Sequence, residues 1–304
     1  MKNLPLVKSL FISLVCLCFS FISHGQQDPL YSQYFNNPML INPAFAGSLE
    51  RLYLGVAYRS QWSGIEGGPV SFNFNTHTSL VDNRVGAGVV VVQDQTGTIK
   101  NNFYGGVASY RIKLPNYTYF SFGMQMGMAR YATNTEGLNV FNPDPLFTPF
   151  SETKFNTGVG VLLNNDRYSV GFSVPQLLAN TASLGGQPMK VYSQNYYLFG
   201  SYVINFSERI QFKPSTLMRF TSGSSPAIDI NANVNFNRLY TAGVLVRNLN
   251  TFGLLLQGVY KNFRLGYVFE VPSKSSALNF NTSEVSLAIS LDVLSHHNHS
   301  NTGF

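Results

Sequence analysis

Between Tyr119 and Met128 successive residues belong to two chemical families. Phe120, Phe122, Met124, Met126 and Met128 are apolar, while Tyr119, Ser121, Gly123, Gln125 and Gly127 between them are small or polar. Adjacent side chains of a strand point to opposite faces, so this stretch presents one greasy face and one wettable face. The division recurs. Ile228, Ile230, Ala232, Val234 and Phe236 interleave with Asp229, Asn231, Asn233, Asn235 and Asn237. Val285, Leu287, Ile289, Leu291 and Val293 interleave with Glu284, Ser286, Ala288, Ser290 and Asp292. Many such strands either close one large sandwich core or turn their apolar faces to lipid.

Composition favours lipid. Only 11% of the 304 residues are charged, against about 25% in ordinary soluble domains. Aromatic residues reach 14%, with 25 Phe and 17 Tyr, and no long apolar run follows Ile22. A transmembrane β-barrel has this profile, because its hydrophobicity is hidden in alternation. The net charge of +6 includes Lys2 and Lys8 of the leader. The other basic residues stand singly (Arg59, Arg84, Arg111, Arg167, Arg219, Arg247, Arg264), which argues against a nucleic-acid partner. Several fall on the polar face of their strand, and so in a barrel lumen.

Residues 1–25 read as a cleaved signal peptide: Lys2 and Lys8, the apolar run Leu10 to Ile22, then Ser23-His24-Gly25 before Gln26. The run is too short for a permanent transmembrane helix. Cys16 and Cys18 raise a lipoprotein alternative, but the residues before them lack the small pair such a site wants. Both leave with the signal, so the mature chain is expected to have no cysteine, and hence no disulfide, zinc-thiolate site or cysteine nucleophile.

Alternation and turn signals together give about fourteen strands, from 51–60 to 281–293. The expected fold is an all-β, antiparallel up-and-down barrel over residues 51–294 in the bacterial outer membrane, with lipid around it. A periplasmic or plug-like segment, 26–50, precedes it, and a polar tail, 295–304, follows. The segments around Val81-Asp82-Asn83, Leu114-Pro115-Asn116, Asn164-Asn165-Asp166, Asn237-Arg238 and Lys261-Asn262 are tight-turn chemistry. The intervening connections are mostly longer, above all 132–151 and 175–191. Short turns at one rim and long loops at the other are the periplasmic and extracellular sides of such barrels, which would leave both termini periplasmic. Tyr58, Tyr168, Phe206, Phe220 and Tyr260 suggest an aromatic girdle.

Catalytic chemistry is sparse. His77 lies on a polar strand face, without a Gly-x-Ser-x-Gly elbow in the required context, and reads as a lumen hydrogen-bonder. His296, His297 and His299 sit on the tail without supporting residues for a metal. Asp94 and Asp144 lack calcium-loop spacing. Gly86 and Gly88 are not followed by a helix, so they make no phosphate loop and instead leave space for a plug or let the strand curve. No enzyme, cofactor or metal is expected.

The segment after the leader contains Gln33, Asn36 and Pro38, then Asn42-Pro43-Ala44-Phe45-Ala46-Gly47, and further on Tyr58-Arg59-Ser60-Gln61-Trp62. These stretches, with Tyr168 to Leu178, Phe212-Lys213-Pro214-Ser215, Asp229 to Asn233 and Leu265-Gly266-Tyr267, closely resemble the PorP/SprF family of the type IX secretion system of Bacteroidota. The resemblance implies an outer-membrane barrel that exports or anchors a large secreted protein, including gliding-motility adhesins, through a C-terminal sorting domain. It also implies a periplasmic peptidoglycan-binding partner. It brings no catalytic residues. Where the family commonly carries a His before the last strand, this chain has Asn281-Thr282-Ser283-Glu284, so no role for that His transfers. The alternative expectation is a channel or porin for small solutes or hydrophobic compounds.

Overall fold

The computed structural model describes residues 31–133, 149–184, 187–273 and 280–294. The leader, Asp144 and the three tail histidines lie outside them. Seven strands open the fold: β1 (Leu52–Ser60), β2 (Val70–Leu80), β3 (Val85–Thr96), β4 (Ile99–Leu114), β5 (Thr118–Thr133), β6 (Phe150–Asn164) and β7 (Tyr168–Val174). A separate hairpin follows, β8 (Asn180–Leu184) and β9 (Gln187–Tyr192). The wall resumes with β10 (Asn195–Tyr202), β11 (Ile204–Asn205), β12 (Ile210–Thr221) and β13 (Ala227–Phe236). It ends with β14 (Tyr240–Arg247), β15 (Thr251–Tyr260), β16 (Phe263–Pro272) and β17 (Thr282–Leu291).

Each wall strand pairs antiparallel with its neighbour, β7 pairs with β10, and β17 pairs back with β1. β10 and β11 both pair with β12 and form one interrupted wall strand. The result is a closed barrel of fourteen strands, as expected from the alternation. Closure leaves no unpaired edge, which is what lets a sheet sit in hydrocarbon. The outward residues are the apolar set: Phe122, Met124, Met126, Met128, Ile228, Ile230, Val234 and Phe236 are exposed. Their alternates Ser121, Gln125, Asp229, Asn231, Asn233 and Asn235 are buried inside.

Turn chemistry sets the pairing. Val81, Asp82 and Asn83 take positive φ, as do Asn116 with Tyr117 and Asn237 with Arg238. Consecutive left-handed residues match the twist of a tight hairpin. These turns share one rim with the start of β1 and the end of β17, called the turn rim below. The opposite, loop rim is less uniform than expected, since β3 and β4 are joined there by 97–98 alone and β14 and β15 by 248–250. The connection read as a free loop at 175–191 is partly folded. It contains the β8–β9 hairpin, and its stem runs along the inner wall: Gln125 Nε2 donates to Pro175 O at 2.5 Å and Asn156 Nδ2 to Leu178 O at 2.9 Å.

Of the two placements expected for the chain before β1, periplasmic or plug-like, the described residues take the second, although their start lies at the rim opposite the one expected. Residues 31–50 lie inside the barrel, and Tyr31 is at the loop rim, where its hydroxyl donates to Asp94 near the end of β3 at 3.4 Å. From there the segment descends to the turn rim at Glu50. Alternation assigns faces of strands, and it carries no information about which way a non-strand segment runs.

Candidate functional site: the occupied lumen

Residues 31–50 fold as two short turns because of two Asn-Pro steps. Pro38 and Pro43 each sit at the first position of a one-turn 3₁₀ helix, Pro38–Leu40 and Pro43–Phe45. Proline has no N–H to lose there and presets φ, while the preceding Asn is driven out of the helical region. Asn42 is extended and caps the second turn by accepting from Ala44 N–H at 2.9 Å.

The same Asn42 fixes the segment to the wall, its Nδ2 donating to Val161 O at 2.9 Å and Phe172 O at 3.4 Å. Around it the contacts visit most of the barrel circumference. Asn37 exchanges amide hydrogen bonds with Asn73 and Asn75 at 3.2 and 2.6 Å. Tyr53 Oη donates to Asn36 O, Ser109 Oγ to Ala46 O and Asn231 Nδ2 to Tyr34 Oη, all within 2.9 Å. Gly47 N–H donates to His77 Nδ1 at 3.1 Å, and the imidazole stacks on Tyr53 with centroids 5.1 Å apart. His77 is thus a hydrogen-bonder in the lumen. Apolar contact completes the seating: Tyr34 and Phe45 meet Phe199 edge-on at 6.0 and 5.7 Å.

Inward glycines make the room. A Cβ at Gly86 would strike Ala46 O, at Gly123 Ala44 N, at Gly160 Asn42 Oδ1 and at Gly266 Gln33 Oε1. The wall is carved to the shape of this segment.

Charge holds its upper end. At the loop rim Arg59 pairs with Glu270 at 2.8 Å and with Glu284 at 3.0 Å, and all three side chains are within 2% of full burial. Arg247 pairs with Asp229 at 2.8 Å and Glu270 at 3.5 Å. This cluster grips the segment: Glu284 accepts from Ser32 N–H at 2.8 Å and Gln33 N–H at 3.0 Å, and the Ser32 hydroxyl donates to Glu270. At the turn rim Arg111 binds Glu50 at 3.2 Å and donates to Gly47 O at 3.1 Å, with its guanidinium over the Tyr119 ring.

Of the candidate site residues, Gln33, Asn36, Pro38, Asn42, Pro43, Ala44 and Gly47 all belong to this segment, and Arg59 to the charge cluster. The structure does not bring Tyr58, Gln61 and Trp62 to them. Tyr58 faces outward, while Gln61 and Trp62 lie past β1, with Gln61 N–H donating to Pro69 O. Sequence reasoning missed Asp229, Arg247, Glu270 and Glu284. A signal existed for one pair, because the tight turn at Asn237-Arg238 makes Asp229 and Arg247 direct cross-strand partners. Among the described residues no group of three or more His, Cys, Asp and Glu is arranged to hold a metal ion.

The fold and the occupied lumen define the class: an outer-membrane β-barrel whose interior is filled by its own N-terminal segment. Residues 23–289 match the model of the family described as type IX secretion system membrane protein PorP/SprF. The chain belongs to that family. No curated protein sequence matches it. Solved barrels resemble it distantly. The CymD monoaromatic hydrocarbon channel is 10% identical over 88% of this chain and 95% of its own, with a TM-score of 0.49. A Pseudomonas aeruginosa FadL homologue is 11% identical over 89% and 96%, also at 0.49. A TodX variant, another monoaromatic hydrocarbon channel, is 12% identical over 90% and 97%, at 0.44. Likeness at this level transfers no function.

Proposed function

We propose that this barrel is a non-enzymatic component of the type IX apparatus that exports or anchors a secreted, adhesin-like surface protein through that protein's C-terminal sorting domain. The client is held at the loop rim, through the 132–151 and 175–191 connections. A periplasmic peptidoglycan-binding protein meets the turn rim. Family membership supports the general role. The observation that weighs against a channel for small solutes or hydrophobic compounds is the lumen itself, in which Ser32, Gln33, Tyr34, Asn42 and Ala44 are at most 2% exposed and bonded to opposite walls. A barrel so filled is a rigid platform, and specificity then resides in its connections.

The test is gentle affinity purification of the tagged barrel from outer membranes, with mass spectrometry of what accompanies it. A large secreted protein and a peptidoglycan-binding protein are the expected companions. A solitary barrel that conducts in a planar bilayer would sink the platform assignment and favour the channel.

A further inference from the structure

At the loop rim β6 outruns its neighbour. It pairs with β5 along its whole length, from Asn164 to Phe150, but with β7 only from Asn164 to Val159, because β7 ends at Val174. Its phase is set at the β6–β7 turn, where Asn165 N–H donates to Tyr168 O at 2.9 Å. Odd-numbered residues of β6 therefore turn their backbone N–H and C=O toward the β7 side. Leu177 N–H, donating to Thr157 O at 2.7 Å, takes the next place above β7. Beyond it the backbone groups of Phe155, Thr153 and Ser151 have no hydrogen bond on that side among the described residues, and the β8–β9 hairpin pairs only with itself. All three residues are exposed.

Outward side chains show where this edge stands. On β4, β5 and β6 the apolar face ends at Tyr104, Met128 and Phe155, which lie side by side. Above them come Asn102, Arg130 and Thr153, then Lys100, Ala132 and Ser151. The ladder is thus complete through the hydrocarbon, where an open edge is not tolerated, and open only above it, in water. The edge's two charges, Glu152 and Lys154, bind each other at 2.7 Å, so it selects through its backbone and not through net charge.

We infer that an extended segment of the secreted client adds a strand to the wall here, along β6 above β7. A row of backbone donors and acceptors is matched by an extended peptide and by no compact ligand. The client's identity rests on the platform role above. A second copy of this chain is the other candidate, and the membrane opposes it. Two copies in one membrane run β6 in the same direction, and a two-fold axis along the membrane normal sets each edge residue level with its own counterpart. Both would then point at each other, whereas in a parallel ladder the residue opposite a bonding one turns its groups away.

T153P removes one edge N–H and breaks no bond to β5, while T153V keeps the backbone and loses only the hydroxyl. Tagged full-length barrels are purified from outer membranes, heat-modifiability shows that each is folded, and the accompanying secreted protein is quantified by mass spectrometry. T153P should cut the client about tenfold, and T153V should leave it unchanged. S151P, one edge position further out, carries the same test if T153P does not assemble. Equal retention by wild type and the proline variants would overturn the edge and leave the platform standing. Loss with T153V would move the contact to the side chain and sink the inference as well. A barrel dimer that T153P dissolves would put a second copy at the edge and remove the client from it. A wild-type barrel without client would defeat the platform instead, and the edge is then read on the purified full chain with a fluorescent heptapeptide of alternating Thr and Val. T153P should weaken that peptide about tenfold, and full N-methylation of the peptide should abolish binding. Indifference to N-methylation would show that no ladder forms.

Discussion

The two ends of the lumen are built on opposite principles. At the loop rim two arginines and three carboxylates are interlocked, buried and closed over the backbone of Ser32 and Gln33. At the turn rim Arg111, Arg167, Lys213 and Arg238 line an open cavity, and Arg111 is bound to Glu50 at the plug's base. An end locked by buried charge and an end lined by basic side chains, on one axis, give the barrel a direction. The plug does not merely fill space: it is tied at the top and forms the ceiling of the pocket at the bottom.

Removing the plug tests that contrast most severely. Deleting residues 31–46 from the full chain should convert a silent barrel into a conducting one, with single-channel current in planar bilayers rising by on the order of tenfold or more, since fourteen strands enclose an aqueous width when nothing fills them. Intact protein that already conducts as well as the deletion would break the comparison. Next in size is R59M. It strands Glu270 and Glu284 in the interior with one fewer cation, and loss of one partner of a buried pair costs about 3–5 kcal/mol. The urea midpoint of the folded, heat-modifiable form should fall accordingly, and protease should reach residues 31–50. Replacing Glu284 by Gln in the same chain should restore part of the loss, because the orphaned charge is what costs most.

How much of this the sequence announces depends on the range of the interaction. The wall is local: each strand pairs mainly with its chain neighbour, so alternation and turn residues such as Asn116 and Asn237-Arg238 place it within a few residues. The Asp229–Arg247 pair is local in the same sense. The plug is not. Glu284 lies 252 positions from Ser32 and Arg59 lies 211 from Glu270, and only barrel closure, β1 against β17, brings Arg59 opposite Glu284. The direction of residues 31–50 was hidden for the same reason. The inward glycines were visible as a pattern, but Gly123 and Gly160 take their meaning from the Ala44 and Asn42 that approach them.

Smaller changes sharpen the picture. N42A removes the cap on Ala44 N–H and two donations to the wall. A lost cap costs about 1 kcal/mol and each neutral hydrogen bond a comparable net amount, so a loss of about 1–3 kcal/mol is expected by urea titration. A loss below the range for a single cap would mean that the plug's middle is held by shape alone.

The smallest expected effect isolates burial as the variable. Arg51 grips Asp292 through a two-pronged fork, Nε to Oδ1 at 2.6 Å and an outer nitrogen to Oδ2 at 2.7 Å, a geometry at least as good as that of Arg59 with Glu270. Its side chains are 18% and 22% exposed, where those of Arg59 and Glu270 are 1% and 2%. Water and salt therefore reach one pair and not the other. R51A should cost about 0.2–1 kcal/mol, and raising the salt from 0.1 to 1 M, which shortens the screening length from about 10 to 3 Å, should erase most of it. The loss from R59M should hold nearly constant across the same range. Equal salt sensitivity of the two would show that solvent enters the loop-rim cluster, and burial would then not be what separates the two ion pairs.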